Sequence, residues 1–320
     1  MKQFNSNITF IDLFAGIGGF RIAMEHYGAT CVFSSEIDNY AKQTYSTNFD
    51  DMPHGDITLI SETIIPKHDV LCAGFPCQAF SISGKQKGFE DARGTLFFEI
   101  IRIVNFHKPK LLLLENVANL KNHSDGETIN HMVSLLKDIG YTVFFDILNA
   151  SNFGVPQSRK RIYFVCFRND INVKNFNFPK PTKKDIALED VLLPDHITKD
   201  YIIYRDDINI QKTEPTNRTN KPIRIGTINK GGQGERIYSP KGHAITLSAN
   251  GGGAGAKTGA YLINGKVRKL CPEECKLVQG FPSNYIIPVN DSQAWKQFGN
   301  TVAIPVLEAI IESILELNII

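Results

Sequence analysis

A cysteine that follows a short apolar run is the residue of this chain best placed to do chemistry. Residues 70–73 predict a buried strand that Gly74 and Pro76 end, so Cys77 should stand at its carboxyl end, where open α/β sheets bind ligands. Proline fixes its own φ and removes a donor, which makes the turn stiff. Because polar, glycine-containing sequence follows, we interpret Cys77 as a reactive thiol. The alternative, a small buried hydrophobe, is our interpretation of three other cysteines: Cys31, Cys72 and Cys166.

Three charged residues could assist such a thiol. Glu115 follows the apolar run 111–114, and parallel strands would bring it to the same sheet edge as Cys77. A carboxyl beside apolar residues tends to have a raised pKa, which suits a proton donor; a helix cap is the alternative. Arg159 and Arg161 have i, i+2 spacing, so on an extended segment they face the same way. Together they could hold a carboxylate, a phosphate or a base carbonyl, although a surface basic cluster remains open.

The start of the chain has the layout of a nucleoside-binding α/β half. A strand over 9–13 leads into the glycine turn 14–19, and a second strand over 30–34 ends just before Glu36. The glycines would let a ligand approach the backbone, and the acid would accept hydrogen bonds from ribose hydroxyls. A packing turn is the alternative. Asp56 could accept from an adenine amino group or simply begin a helix.

Composition sets the outer bounds of the interpretation. With 42% apolar and 21% charged residues the chain is typical of a globular protein, and no apolar run reaches the roughly 18 residues of a membrane span, so we expect a cytoplasmic protein without membrane contact. Six irregularly spaced cysteines favour a reducing compartment and no metal site. Residues 205–269 carry twelve Lys and Arg against four acids, which is typical of a segment that binds polyanions, although solvated lysines are the alternative.

The order of predicted elements suggests two domains. Residues 78–94 form a long polar loop suited to a lid, and helices are predicted over 95–107 and 128–139, with strands over 141–148 and 161–167. After a linker at 179–181 the sequence pattern indicates many loops, with short β-like runs and many glycines. Helices over 272–279 and 305–317 close the chain, and the last should return to the first domain's core. We predict one domain from 1–189 plus 300–320, a second at 190–271 and a hinge at 272–299.

Six motifs in register resemble those of the cytosine-5 DNA methyltransferases, and the resemblance covers nearly the whole chain. They are the segments 12–19, 74–78, 115–117, 157–161, 268–270 with 279–282, and 297–300. The resemblance implies a Rossmann-like α/β domain that binds S-adenosyl-L-methionine and releases S-adenosyl-L-homocysteine. It also implies a smaller, loop-rich, mostly β target-recognition domain, with double-stranded DNA held in the cleft between.

Site residues carried over from the family fall into three groups. The catalytic group is Cys77, Glu115, Arg159 and Arg161. The cofactor group is Phe14, Ala15, Gly16, Gly18, Gly19, Glu36, Ile37, Asp56, Ile57, Pro76, Leu96, Asn300, Thr301 and Val302. The DNA group is Ser81, Ser83, Lys85, Arg93, Gln233, Arg236, Thr246 and Asn250. Two positions depart from the pattern: Ile37 stands where an aromatic often stacks on adenine, and Asn250 where a close relative has tyrosine.

The chemistry that the residues suggest agrees with the resemblance. C5 of cytosine is a poor nucleophile, but addition of the Cys77 thiolate at C6, with Glu115 donating at N3, makes C5 enamine-like. Only about 3% of a thiol with a pKa near 8.5 is ionised at pH 7, so a neighbouring arginine should lower that pKa. A stacked base cannot be reached from both faces and must be flipped out.

Several alternatives stay open at this point. A nicotinamide-dependent oxidoreductase could use the same half-fold, and a DNA-binding protein without activity could use the basic segment. The same chemistry could act at another DNA site or on RNA, although the Cys-Phe-Thr typical of transfer-RNA relatives is absent. The resemblance implies a monomeric type II modification enzyme of bacterial or phage origin that methylates the inner cytosine of GCGC. A restriction endonuclease would share that site without binding the protein.

Overall fold

Six strands in the first half of the chain form one sheet in the computed structural model, which describes residues 2–4, 7–76, 96–182 and 185–319. The sheet has the order β2-β1-β3-β4-β6-β5. Its strands are β1 (Thr9–Leu13), β2 (Thr30–Ser35), β3 (Val70–Gly74), β4 (Leu111–Val117), β5 (Tyr141–Asn149) and β6 (Lys160–Arg168). β2, β1, β3 and β4 pair in parallel, whereas β6 runs antiparallel to both of its neighbours. The predicted Rossmann-like α/β fold is confirmed.

Helices cover both faces of this sheet, because the strands are apolar on both sides. Along β1, Phe10 packs into one core and Ile11 into the other. The first core contains α1 (Gly19–His26) and the C-terminal helix α8 (Ile304–Leu315). The second contains α3 (Leu96–His107) and α4 (Glu127–Asp138). α2 (Asn39–Phe49) follows β2 and is capped by the Asp38 carboxylate. The protein therefore has three layers, as nucleotide-binding α/β folds do.

A second, smaller sheet follows in the region that we predicted to be loop-rich. It has the order β11-β10-β9-β8-β7. Its strands are β7 (Ile208–Ile210), β8 (Ile223–Ile228), β9 (Arg236–Ser239), β10 (Ala260–Ile263) and β11 (Lys266–Arg268). It has a small core of its own, centred on Ile225 and Ile237. A one-turn helix, α5 (Asp195–Thr198), lies before it.

Two further helices connect the second sheet to α8. α6 (Pro272–Val278) was predicted, whereas α7 (Asp291–Asn300) was not. Among the described residues, one stretch, Asp291–Leu315, is long and apolar enough to cross a membrane by composition, but 67% of its most apolar window is buried. Residues 301–303 divide it into α7 and α8. Both helices pack in the protein core.

Candidate active site

A cavity of about 640 Å³ opens at the carboxyl ends of the parallel strands. β1 and β2 contribute Phe14, Gly16 and Glu36, and β3 and β4 contribute Gly74, Pro76 and Glu115. Among the other residues of the wall are Ile37, Asp56, Ile57, Leu96, Arg161 and the segment 299–301. Topology explains this convergence, because parallel strands all end at the same edge of their sheet.

Glu36 is fixed at one end of the cavity by two backbone donors. Its Oε2 accepts from the N–H of Gly16 at 2.8 Å and its Oε1 from the N–H of Asp38 at 2.7 Å. Burial raises the pKa of the Glu36 carboxyl, and these hydrogen bonds counteract that rise. The remaining lone pairs can accept from a diol, as a ribose would require.

Four residues that we predicted to bind the cofactor, Ala15, Gly18, Gly19 and Val302, do not line the cavity. A Cβ on Gly19 would lie 2.6 Å from Cγ2 of Val302, and one on Gly18, at φ +79°, would lie 2.2 Å from Cε2 of Phe49. Both glycines therefore let α1 pack closely behind the cavity wall. Close packing thus explains these two glycines, whereas Phe14 and Gly16 face the cavity; the cofactor role of Gly18 and Gly19 stays a prediction.

The opposite wall combines apolar residues with one acid. Ile37 is 69% exposed, so its side chain is free to cover a flat ligand. Asp56 uses Oδ1 to accept from the backbone N–H of Thr58 at 3.0 Å and from its hydroxyl at 2.8 Å. It thus begins a 3₁₀-helix, Ile57–Leu59, and also borders the cavity, so a contact with an adenine amino group stays a prediction.

Two buried polar atoms on the cavity wall have no hydrogen-bond partner within the described residues. They are Oγ of Ser35 and Nε2 of Gln297. The Gln297 amide is already oriented, because its Oε1 accepts from the Thr44 hydroxyl at 3.0 Å. An unpaired buried polar atom is costly, and a polar ligand would relieve that cost. Together with the Glu36 carboxylate, this donor set fits a nucleoside-containing cofactor such as S-adenosyl-L-methionine.

Glu115 and Arg161 form an ion pair on the cavity wall. Gly74 of β3 is the register partner of Glu115, which confirms that the two strands deliver their ends to one place. Nε of Arg161 lies 3.0 Å from Oε1 of Glu115, and both side chains are largely buried. Burial raises the pKa of the Glu115 carboxyl, against the opposing charges of Arg161 and Arg159. A carboxyl whose pKa is raised keeps its proton to higher pH than an exposed glutamate, which suits a hydrogen-bond donor.

Arg159 is not part of the cavity wall. It is 2% exposed. Its Nη1 donates to the carbonyl of Leu247 at 3.0 Å, and its Nη2 donates to those of Gly299 at 3.0 Å and Thr301 at 2.6 Å. Backbone carbonyls therefore take up the guanidinium ends of Arg159 in this geometry, and a contact of Arg159 with the target base stays a prediction.

Five predicted site residues, Cys77, Ser81, Ser83, Lys85 and Arg93, lie outside the described residues. The other cysteines fit the buried interpretation, since Cys72 and Cys166 are fully buried and burial raises the pKa of their thiols. Cys31 is partly exposed, yet burial still raises its thiol pKa to about 12.

Four predicted DNA-contacting residues belong to the second sheet and its loops. Gln233 lies in a short 3₁₀-helix, and Arg236 begins β9; both are exposed, as is Asn250. The Thr246 hydroxyl already donates to the carbonyl of Ser158 at 2.5 Å, so it can only accept from a further partner.

Our prediction missed several cavity residues, among them Asn116 and Lys296. Nδ2 of Asn116 donates to the carbonyl of Phe75 at 2.9 Å and so supports the turn before Pro76. Nζ of Lys296 lies 2.6 Å from Oδ2 of Asp38 and joins α7 to the start of α2 at the cavity rim. Asn116 stands in the segment 115–117 that carries the resemblance, so that signal was available. Lys296 comes from a helix that we did not predict.

Comparison with known proteins agrees with this geometry. The family model described as C-5 cytosine-specific DNA methylase matches residues 8–316. Type II methyltransferase M.HhaI of Haemophilus parahaemolyticus is 54% identical over 305 residues, covering 95% of this chain and 93% of that protein. Type II methyltransferase M.HpaII of Haemophilus parainfluenzae is 44% identical over 328 residues, covering 96% of this chain and 89% of that protein.

Two solved structures share the fold at low sequence identity. The S. pombe Dnmt2 methyltransferase has a TM-score of 0.76 at 18% identity and covers 97% of this chain and 99% of its own. The Entamoeba histolytica methyltransferase EhMeth has a TM-score of 0.73 at 20% identity, and the match covers 98% of this chain and 99% of that protein. These likenesses support the fold alone.

Proposed function

This chain belongs to the C-5 cytosine-specific DNA methylase family and is a DNA (cytosine-5-)-methyltransferase, and from that premise we propose that its target is the inner cytosine of GCGC. We further propose that the base is flipped out of the duplex. The protein would serve as the modification enzyme of a type II restriction-modification system, as the relative M.HhaI is named a type II methyltransferase.

The observation that carries the proposal is the shared cavity of Glu36 and Glu115. One carboxyl is held by backbone N–H groups, as a cofactor site requires, and the other is buried, as a proton donor requires, with an arginine that fixes its orientation. Both border one space next to Pro76, the residue before Cys77. A nucleoside cofactor and a base could therefore meet there.

In this proposal Glu36, Asp56 and Ile37 hold the adenosine part of S-adenosyl-L-methionine. The segment 299–301 and Gly16 border the rest of the cofactor. When bound, the cofactor supplies an electrophilic methyl group. The chain's own contribution is to orient that group toward the base and to exclude water.

The catalytic residues would act on the cytosine ring itself. The Cys77 thiolate adds to C6 while Glu115 hydrogen-bonds or donates to N3, which places electron density on C5. Arg161 holds the Glu115 carboxyl in position through the Nε–Oε1 contact. After methylation, loss of the C5 proton expels the thiolate and restores the ring.

The burial of these groups supports the proposal of base flipping. Glu115 is 7% exposed, so a cytosine stacked inside a duplex could not reach its carboxyl. Extruding the nucleotide costs a few kcal/mol, about the free energy that contacts to the base and flanking phosphates can return.

The remaining predictions stay part of the proposal. The boundaries 1–189 plus 300–320, 190–271 and 272–299 are supported by the two separate sheets. We propose a monomer in the bacterial or phage-infected cytoplasm that shares its DNA site with an endonuclease and does not bind it.

Plasmid methylation with S-adenosyl-L-methionine, followed by bisulfite sequencing, tests the proposal. We expect 5-methylcytosine only at the first C of each GCGC. Methylation at another sequence would reject the assigned site. It would show that the recognition residues assigned to the second sheet and its loops are wrong, while the chemistry of Cys77 could stand. Absence of 5-methylcytosine in DNA, with activity on RNA, would reject the proposed substrate.

A further inference from the structure

One buried guanidinium joins three distant segments of the chain. Arg159 precedes β6, next to the catalytic Arg161, and donates to Leu247 of the second-sheet region and to Gly299 and Thr301 at the end of α7. We call 247–250 the recognition segment and 299–301 the cofactor segment. The first ends at the exposed Asn250, and the second lines the cofactor cavity.

The two segments also touch directly, through backbone. A Cβ added to Gly299 would lie 2.2 Å from the carbonyl carbon of Ser248 and 2.3 Å from the nitrogen of Ala249. Real Cβ atoms do not approach backbone this closely, so Gly299 permits a contact that no other residue would. This contact is independent of the hydrogen bonds of Arg159 and joins the same two segments.

A neighbouring amide reinforces the junction. Oε1 of Gln157 accepts from the N–H of Leu247 at 3.1 Å, and its Nε2 donates to Oε1 of Gln279 at 3.2 Å. Nε2 of Gln279 in turn donates to the carbonyl of Phe298 at 2.6 Å. Gln157 and Arg159, which directly precede β6, thus contact the recognition segment and the end of α7 that leads into the cofactor segment.

The cost of this arrangement argues for a role beyond packing. Burial and the charge of Arg161 lower the pKa of the Arg159 guanidinium to about 9. Nε of Arg159 has no partner within the described residues. Apolar residues of similar volume often replace buried charges without loss of stability, so stability alone does not explain an arginine here.

We propose that Arg159 is a positioning residue that holds the recognition segment against the cofactor segment and thereby couples DNA binding to cofactor binding. The proposal rests on the proposed function, which assigns these two ligands to the two segments. Coupling arises because either ligand, by ordering its own segment, also orders the other across the Gly299 contact. Arg161, by contrast, lines the cavity and pairs with Glu115.

Three variants test this: Arg159→Lys, Gly299→Ala and the control Arg168→Lys. Lysine keeps the charge but cannot reach three carbonyls at once, and alanine at 299 separates the two backbones without changing charge. Arg168 lies at the opposite end of β6, and its guanidinium donates to the Asp170 carboxylate, so it serves as an arginine control away from the junction. Thermal unfolding first establishes which variants are folded.

The readout is the ratio of the DNA dissociation constants without and with S-adenosyl-L-homocysteine. We expect at least a tenfold ratio in the wild-type protein and in Arg168→Lys. It should fall by at least fivefold in Arg159→Lys and Gly299→Ala. The dissociation constant of S-adenosyl-L-homocysteine, measured without and with DNA, must change by the same ratio, because linkage is reciprocal. An unchanged ratio in folded variants, or a ratio of one in the wild-type protein, would overturn the proposal.

Hydrogen exchange separates this inference from the proposed function, because it needs no DNA. Adding S-adenosyl-L-homocysteine alone should protect amides of the recognition segment in the wild-type protein. In Arg159→Lys that protection should be lost, while amides near Glu36 remain protected. Equal protection of the recognition segment in both proteins would reject the role of Arg159, whatever DNA sequence is methylated. Failure of methylation with the expected exchange pattern would instead reject the proposed substrate.

Discussion

The Glu115–Arg161 pair shows how one residue's environment sets its chemistry. The carboxyl is buried, which favours its neutral form, yet it lies 3.0 Å from a guanidinium that favours the anion. Burial prevails, so the pKa is raised and a protonated fraction persists at higher pH than for an exposed glutamate. The group is thus suited to donate to the base and later to release the proton.

The Glu115→Gln variant tests this role. An amide can hydrogen-bond to N3 but cannot transfer a proton, so we expect the methylation rate to fall by about 10²-fold or more. Because the native pKa is raised, wild-type activity should decline as pH rises through it, and the variant should lack that decline. Single-turnover rates between pH 5 and 9 measure both effects. A variant that keeps the alkaline decline would show that another group causes it.

Ile37 offers a second test at the residue scale. It borders the cofactor cavity and is 69% exposed. Replacing it with tryptophan would provide a ring to stack on adenine, so Ile37→Trp should lower the cofactor dissociation constant about 2- to 10-fold. Calorimetric titration with S-adenosyl-L-homocysteine measures this. Ile64→Trp is a matched control, because Ile64 is 67% exposed and does not line the cavity. Equal tightening in both would exclude a specific stacking effect.

At the scale of elements, the turn between β1 and α1 is shaped by close packing as well as by ligand access. Gly18 has φ +79° and faces the Phe49 ring of α2, whereas Gly140, which ends α4, has φ +98° and open space around it. The two glycines share the left-handed backbone and differ in their surroundings. Alanine substitutions at the two positions therefore separate the cost of backbone strain from the cost of a steric clash.

We expect Gly140→Ala to cost about 1 kcal/mol of unfolding free energy from strain alone. Gly18→Ala should cost about 1–3 kcal/mol more, because its methyl group would displace the Phe49 ring. Chemical denaturation of both variants measures the difference. Equal losses would show that α2 adjusts freely to the added methyl group.

Local patterns were sufficient to predict most elements of the main sheet and the edge where Glu36 and Glu115 meet. α7 was missed, although Asn290 caps it by accepting from Gln293, a signal present in the sequence. The surroundings of Arg159 could not be predicted, for a deeper reason. The i, i+2 spacing indicates the side of a strand but not what covers it, and the covering carbonyls lie 88 to 142 residues further along the chain.

At the scale of the whole molecule, the charge of the second region is less available than its composition suggests. Arg205 pairs with Asp207, Arg218 pairs with Glu189 and Asp190, and Arg268 forms a buried pair with Glu274. Several exposed basic residues have no ion pair within the described part of the chain, among them Lys221, Arg224, Lys230 and Arg236. These are the candidates for phosphate contacts.

DNA affinity should therefore fall steeply with salt, and the slope should report individual residues. Lys230→Ala should reduce the slope of log K against log salt by about 1, because each phosphate contact contributes about 0.9. Arg218→Ala should leave the slope unchanged, since its guanidinium is already neutralised by two acids. Fluorescence anisotropy between 50 and about 200 mM salt measures both. A flat response of the wild-type protein would exclude the basic region as the DNA contact.

The position of α8 has a consequence for how the protein is made. Leu307 and Ile310 complete the core on one face of the first sheet, and Glu312 accepts a hydrogen bond from Tyr27 at 3.0 Å. Tyr27 and Glu312 lie 285 residues apart in the sequence, so α8 leaves the ribosome long after β1 and α1, which stay partly uncovered until then. The core behind the cofactor cavity is therefore complete only after α8 has been synthesised.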